Sequence, residues 1–394
     1  MLQDLTPQPP DKIMELMAQF RADTRDDKLD LGVGVYKDSA GRTPVMRAVK
    51  AAEKRLLESQ DSKSYVGLLG DQGFVDAMRE LVLGDSVDPA RIAGAQAPGG
   101  TGAIHQLLEV VKLVRPNATV WYSDPTWPNH PAMVRHLGLT GKTHRYFDDA
   151  TCEVDFDAMM EDLAGIGPDD VVILHGCCHN PTGANLNAEQ WQKLTDHLEK
   201  TGALPFVDFA YQGFGDGLDA DAAAVRKMAA RLPQMLLAAS CSKNFGLYRD
   251  RVGVALVISA SAEVQEKAKG ALSSMNRVNF SFPPDHGAKV VEIILNDPEL
   301  RAQWQEELEE MRQRMLQLRK GLAEALRRES NSDGFDFVAR HRGMFSRLGL
   351  PTEQVLKLRE EQGIYMVGDS RVNIAGLKED GLDDMAKAIV ATAP

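Results

Sequence analysis

The sequence predicts an α/β fold: a large domain with a mostly parallel sheet flanked by helices, joined to a smaller domain. Three observations carry this. Short apolar runs open at Ala118, Val171, Leu204, Met235 and Val252, each the length of a buried strand. Each of the first four gives way to a loop rich in glycine, proline or polar residues, which is where an α/β scaffold presents its functional groups. From 298 to 328, Leu300, Trp304, Leu308, Met311, Met315, Leu318 and Leu322 recur at helical spacing, so one long amphipathic helix links the two domains.

With 394 residues the chain exceeds one small core and fits one large or two unequal domains. A net charge of -12 argues against a nucleic-acid or anionic-membrane partner, since either needs a basic patch. No run reaches the ~20 apolar residues that cross a bilayer, and the first ten residues lack a basic region followed by an apolar one. Cytoplasm is therefore the expected compartment. The four cysteines (Cys152, Cys177, Cys178, Cys241) lack disulfide-framework spacing, which fits a reducing environment.

Taken in order, residues 1–11 contain three prolines and predict an extended arm. Residues 12–20 predict a short amphipathic helix, and 29–37 a strand ending in glycines. Gly34 either lets the backbone approach a ligand or simply makes a turn. A helix over 44–59 precedes the loop Ser64-Tyr-Val-Gly-Leu-Leu-Gly70, whose Tyr65 reads from the residues alone as a packing aromatic. The segment 97–104 then introduces a long apolar helix through 114. Glycines before a helix start leave free N–H groups and a positive dipole end, which suit a phosphate near Gly100 and Thr101. A dinucleotide fingerprint would need glycine where His105 stands, so a Rossmann site is disfavoured.

The strand at 118–123 delivers Asp124-Pro-Thr-Trp-Pro-Asn-His130, a rigid turn presenting Trp127 and His130. Trp127 is either core or a platform for a flat heterocycle. The strand at 171 leads into His175, Cys177, Cys178 and His179. Adjacent cysteines on extended chain point to opposite sides and chelate poorly together, so no metal site is expected. Asn180 precedes Pro181 and is held extended, which orients its amide.

Asp208 closes an apolar strand, where an unpaired carboxylate is costly. It is a helix cap, half of an ion pair, or the partner of a protonated pyridine nitrogen. At ~4 Å and an effective dielectric near 20 that last attraction is about 4 kcal/mol. Tyr211 follows three residues on.

In the run Ser240-Cys-Ser-Lys-Asn-Phe-Gly-Leu-Tyr-Arg-Asp-Arg-Val-Gly253, Lys243 sits between two core strands, with the Ser240 hydroxyl before it and the Arg251 cation after it. An amine beside a phosphate site suggests an aldehyde cofactor held as a Schiff base, the alternative being a solvated loop lysine. A lysine of ordinary pKa, ~10.4, is protonated at neutral pH, so desolvation and Arg251 must favour its neutral form. Later in the chain, Arg277 reads alone as a solvated arginine. Arg371 is either paired with Asp369 or a two-bonded carboxylate binder.

The 240–253 run resembles the cofactor-lysine segment of the fold-type I pyridoxal phosphate aminotransferases, in the aspartate and aromatic amino-acid group. The similarity extends from about residue 5 to residue 389. It implies pyridoxal 5'-phosphate on Lys243. Its phosphate would be held by Gly100, Thr101, Ser240 and Arg251, with Tyr65 reaching over from the other subunit; Gly99 stands where the family often has serine. Trp127 would stack on the ring, Asp208 would hold the ring nitrogen with His130 behind it, and Asn180 and Tyr211 would reach the ring oxygen.

For the substrate, the resemblance implies Gly34 along its length, Arg371 on the α-carboxylate and Arg277 projecting into the neighbouring subunit's site toward a side-chain carboxylate. It also implies cis bonds at Asp124-Pro125 and Asn180-Pro181, an arm 1–11, a small α/β domain from both chain ends (12–44 and 309–394), a large domain 45–308, and a homodimer with shared active sites.

The expected activity moves an amino group between L-amino acids and 2-oxo acids, with glutamate and 2-oxoglutarate as one couple. Gly213-Phe-Gly-Asp-Gly217, Phe280-Ser-Phe-Pro-Pro284 and Tyr365-Met-Val-Gly-Asp-Ser370 look closer to the branch that accepts tyrosine and phenylalanine as well as aspartate; an aspartate-restricted enzyme is the alternative. Lyases and decarboxylases share the constellation and differ in the bond broken. A cofactor-binding regulator would need a DNA-binding domain and basic charge.

Overall fold

The computed structural model describes residues 2–7 and 10–393. Its main sheet has seven strands in the order Ile92–Pro98, Val252–Ile258, Met235–Ser240, Leu204–Phe209, Asp170–His175, Thr119–Asp124 and Thr140–Arg145. In this sheet Val252–Ile258 runs against both neighbours and the other pairings seen are parallel. The strand residues alternate between two faces. Val171, Ile173, Phe206, Leu236 and Ala238 pack on one side, while Val172, Leu174, Val207, Leu237 and Ala239 pack on the other, so helices cover both.

A separate apolar cluster joins the two ends of the chain. Leu31 belongs to it together with Leu318, Leu322, Leu326, Phe337, Leu358, Val372 and Ile389. Leu29–Asp30 pairs in parallel with Ile364–Tyr365, and Phe345–Arg347 pairs antiparallel with Arg371–Asn373. The helix Pro298–Ser330 serves both regions. Asp297 caps its start by accepting from the Glu299 and Leu300 N–H groups, with Pro298 at the first position, where a missing N–H costs nothing. Its Leu300, Trp304, Leu308, Met311 and Met315 pack in the main core, whereas Leu318, Leu322 and Leu326 pack in the second.

Arg319, next to Leu318 where the second stretch begins, is fully buried. Its guanidinium donates to the carbonyls of Val338 (3.1 Å), Arg342 (3.2 Å), Gly343 (2.9 Å) and Phe345 (2.5 Å) and to Ser346 Oγ (2.7 Å). Among the described residues it has no carboxylate partner.

Several sequence expectations need correction. The strand expected over 29–37 is confined to Leu29–Asp30, because Asp30 Oδ1 accepts from the Gly32 and Val33 N–H groups and turns the chain out of the ladder. The helix expected from 44 begins at Arg47, where Glu307 accepts from the Arg47 and Ala48 N–H groups. In the arm, Leu2–Asp4 forms a single 3-10 turn rather than extended chain; positions 1, 8 and 9 lie outside the described residues.

The thiols of Cys177 and Cys178 do not point apart. Cys178 has φ 52°, and the two Sγ atoms and an Asp221 oxygen lie within 4.8 Å of one another. Burial raises both thiols, which keeps them protonated and disfavours them as metal ligands. The cis bonds at Asp124-Pro125 and Asn180-Pro181 are present. Among the described residues no helix is long and apolar enough to cross a membrane.

Candidate active site

Parallel strands place their carboxyl ends on one edge of the sheet. The reversed strand starts on that same edge, since Val252 pairs with Pro98 and Gly253 with Ser240. Five loops therefore meet there, following Pro98, Asp124, His175, Phe209 and Ser240. They enclose a cavity of about 220 Å³ lined by Gly100, Thr101, Trp127, Asn180, Asp208, Tyr211, Ser240, Lys243 and Arg251, with Gly34 reaching in from the other region.

Lys243 is half-buried, its Nζ 4.8 Å from the centre of the Tyr211 ring. Burial lowers its ammonium pKa and the Arg251 charge adds to this, while Asp208 opposes; the net shift is downward. The amine is thus moved toward its nucleophilic form.

Asp208 is buried, and its Oδ2 lies 3.0 Å from His130 Nε2, whose Nδ1 is 2.8 Å from Thr126 Oγ1. Burial alone would raise this carboxyl. The hydrogen bond and charge at His130, with smaller contributions from His175 and Lys243, more than offset it, so the group is held ionised. Trp127 meets the His130 ring edge-on at 5.3 Å. Behind it His175 and His179 extend the row, with centroids 5.1 Å and then 4.3 Å apart. Burial pushes His175 down to about 3.

The glycine-rich side is equally specific. The helix Gly99–Val114 starts without a side-chain cap, so its first N–H groups remain available to an anion. Gly99 has φ 75°, and a Cβ there would lie 2.5 Å from Arg251 Nη2. A side chain there would therefore crowd the guanidinium and strain the backbone. Arg251 Nη1 donates to the Tyr248 carbonyl at 2.9 Å and approaches Ser242 Oγ at 3.5 Å.

Asn180 Nδ2 lies 3.4 Å from the Tyr211 hydroxyl, and its buried Oδ1 has no partner among the described residues. Arg371 is 5% exposed and does not touch Asp369 through its guanidinium; it donates from Nη2 to the Gly32 carbonyl at 2.7 Å, lies 4.5 Å over the Phe345 ring, and leaves Nε unpartnered. Among the described residues this cation has no anion paired with its guanidinium.

Three expected residues, Arg371, Tyr65 and Arg277, are not among those that line this cavity within one chain. Tyr65 is 85% exposed and stacks on Phe282 at 4.6 Å. Arg277 is exposed and donates to Ser281 Oγ at 3.0 Å. Conversely, His175, Tyr248 and Ile104 line the cavity without having been singled out from the sequence for that role. Only His175 carried a local signal, its place at a strand end.

Fold and site together define an α/β enzyme centred on a lysine, with an anion cradle on one side and a buried carboxylate on the other. The chain belongs to the family described as aminotransferase class I and II, whose model it matches over residues 26–389. It is 56% identical to an aromatic-amino-acid aminotransferase of Paracoccus denitrificans over 99% of both chains. To the aspartate aminotransferase of Escherichia coli (strain K12) it is 42% identical, over 99% of this chain and 100% of the other. The aromatic-amino-acid aminotransferase of Burkholderia pseudomallei, solved covalently bound to pyridoxal phosphate, superposes with a TM-score of 0.97 at 40% identity and full coverage of both chains. The chain is accordingly an aminotransferase.

Proposed function

We propose that the chain transfers amino groups between aromatic or dicarboxylic L-amino acids (tyrosine, phenylalanine, aspartate) and 2-oxoglutarate, using pyridoxal 5'-phosphate. The observation that carries this is the placement of Lys243 over Tyr211 in a cavity shared with the ionised Asp208. The donor set fits the cofactor. The uncapped helix start at Gly100 and Thr101, Ser240 and Arg251 suit its phosphate; Trp127 its flat ring; Asp208 its ring nitrogen; and the unpartnered Asn180 Oδ1 with the Tyr211 hydroxyl its ring oxygen. When bound, the cofactor supplies an aldehyde that takes the amino group and a protonated ring that withdraws electrons from the substrate α-carbon.

The side chains divide the remaining work. Arg371 holds the α-carboxylate, which fixes the α-carbon near Lys243. Lys243 Nζ removes the α-proton as a base and returns a proton as an acid. Asp208 keeps a proton on the ring nitrogen by charge, and His130 fixes that carboxylate. Gly34 borders the substrate without a side chain to obstruct it.

In a homodimer, Tyr65 and Arg277 serve the neighbouring site, Tyr65 at the phosphate and Arg277 at a dicarboxylic side chain; the exposure of both supports a role outside their own cavity. The division into an arm (1–11), a small domain (12–44 and 309–394) and a large domain (45–308) is supported by the apolar cluster that unites both chain ends. A cytoplasmic location fits four free cysteines.

The test is the visible absorption band of the lysine-bound cofactor. Its loss with either L-aspartate or L-phenylalanine, and its return with 2-oxoglutarate, is expected. A response to aspartate alone would support an aspartate-restricted enzyme, a reading favoured by the 42% identity to the aspartate aminotransferase.

A further inference from the structure

The segment Gly32 to Lys37 forms one wall of the active-site cavity through Gly34. It is fastened firmly to the region built by the chain ends. Asn373 Nδ2 donates to the Val33 and Val35 carbonyls at 2.7 and 2.8 Å, the Lys37 N–H donates to the Ala375 carbonyl at 3.2 Å, and Arg371 holds the Gly32 carbonyl. Toward the lysine loop the situation differs. Among the described residues, the single hydrogen bond from this segment to residues 240–251 runs from the Tyr36 N–H to the Tyr248 hydroxyl, at 2.9 Å.

Tyr248 itself is tied at its other end to the anion cradle, because its carbonyl accepts from Arg251 Nη1. Its side chain also lines the cavity. One residue thus spans from the phosphate-side cation to the wall against which a substrate lies. Gly34 leaves little tolerance in that wall, since a Cβ there would stand 2.8 Å from Phe345 Cζ, and Phe345 lies under Arg371. A small shift of the segment therefore moves the groups that face the α-carboxylate.

We propose that Tyr248 is a positioning residue: its hydroxyl, by accepting the Tyr36 N–H, sets the register between the Gly32–Lys37 wall and the lysine loop and so determines substrate KM. This rests on the transamination reading above. It assigns Tyr248 no contact with the reacting atoms.

Tyr248→Phe in the holoenzyme tests it, since phenylalanine keeps the ring and deletes the acceptor. One net hydrogen bond is worth about tenfold in an equilibrium. Amide exchange of the peptide covering 32–37 should accelerate by about tenfold, and KM for L-phenylalanine and for 2-oxoglutarate should rise by about tenfold. The change should fall on KM more than on kcat, with cofactor affinity and the visible band retained.

Unaltered exchange and KM would overturn the proposal, as would weaker cofactor binding at unchanged KM, which would assign the hydroxyl to the cofactor instead. If neither protein turned over any amino acid, the transamination reading would fail and the exchange measurement would still decide whether the Tyr248 hydroxyl holds the Gly32–Lys37 segment.

Discussion

Asp208 Oδ2 and His130 Nε2 lie 3.0 Å apart in the interior, and the second nitrogen of that histidine is fixed by Thr126. The carboxylate is consequently both ionised and oriented. Asp208→Asn keeps the shape and deletes the charge. The lost attraction of about 4 kcal/mol corresponds to roughly a thousandfold in rate, so kcat at saturating cofactor should fall by about that factor. A loss below tenfold would show that the charge is not needed.

Lys243→Ala removes the amine while leaving the anion cradle, Trp127 and Asp208 in place. The variant should still bind pyridoxal 5'-phosphate, now noncovalently, as equilibrium dialysis would report. Turnover should drop by at least the ~10²–10⁴-fold typical of a positioned acid–base group. Near-normal rates would refute the role of this lysine.

In the proposed homodimer Arg277 would bear on substrate choice alone. Arg277→Ala should reduce kcat/KM for aspartate by about 2–3 kcal/mol of binding, roughly 30- to 150-fold, the scale of a charge-assisted hydrogen bond. The value for phenylalanine should change by less than about threefold. Equal losses on both substrates would remove Arg277 from side-chain recognition.

Arg319 tests stability. Arg319→Met would leave four carbonyls and the Ser346 hydroxyl without their buried donor. Each unsatisfied group costs on the order of 1–3 kcal/mol before relaxation. After relaxation a net loss of about 3–5 kcal/mol is expected, measured as a lower denaturant midpoint at unchanged slope. Lysine should rescue little, because it cannot reproduce the planar fork.

A pH effect follows from His144, which is 1% exposed and packs edge-on to Tyr146 at 6.4 Å. Burial pushes it down to about 4, against an ordinary value of 6.5. The folded state therefore favours the neutral ring. This contribution is complete above pH 6.5, is lost progressively as pH falls toward 4, and amounts to on the order of 3 kcal/mol. His144→Phe should flatten the decline in Tm between pH 7 and pH 4.5. An identical decline would assign it to the other buried histidines.

Much of this was legible locally. Runs rich in valine, isoleucine and leucine announced the strands opening at Val171 and Val252, and Pro298 with its periodic apolar residues announced the long helix. Ile92–Pro98 escaped because Ile-Ala-Gly-Ala-Gln-Ala-Pro is built of small residues with no β-branched run beyond the first. Thr140–Arg145 escaped because an edge strand that faces solvent is polar.

The reversed direction of Val252–Ile258 leaves no trace in its composition, since a strand buried on both faces looks the same either way. Lys243 and Asp208, which line the cavity, and the buried Arg371 were legible because each is a charge set against an apolar run. Tyr248 was not, because its significance lies in a backbone N–H 212 positions away.

The pairing of Leu29–Asp30 with Ile364–Tyr365 also bears on how the molecule is made. During synthesis all seven strands of the main sheet have emerged by residue 258, while its apolar core is completed by residues as late as Met315, Phe345 and Ala375. Leu31 waits for partners that include Ile364, Val372 and Ile389. Closing so long a loop carries an entropic cost that grows only slowly with length but is met late. Gly34 and Arg371 reach their places in that same late event, so the cavity wall that Gly34 supplies is set only after the loops carrying Asp208, Lys243 and Arg251 have been made.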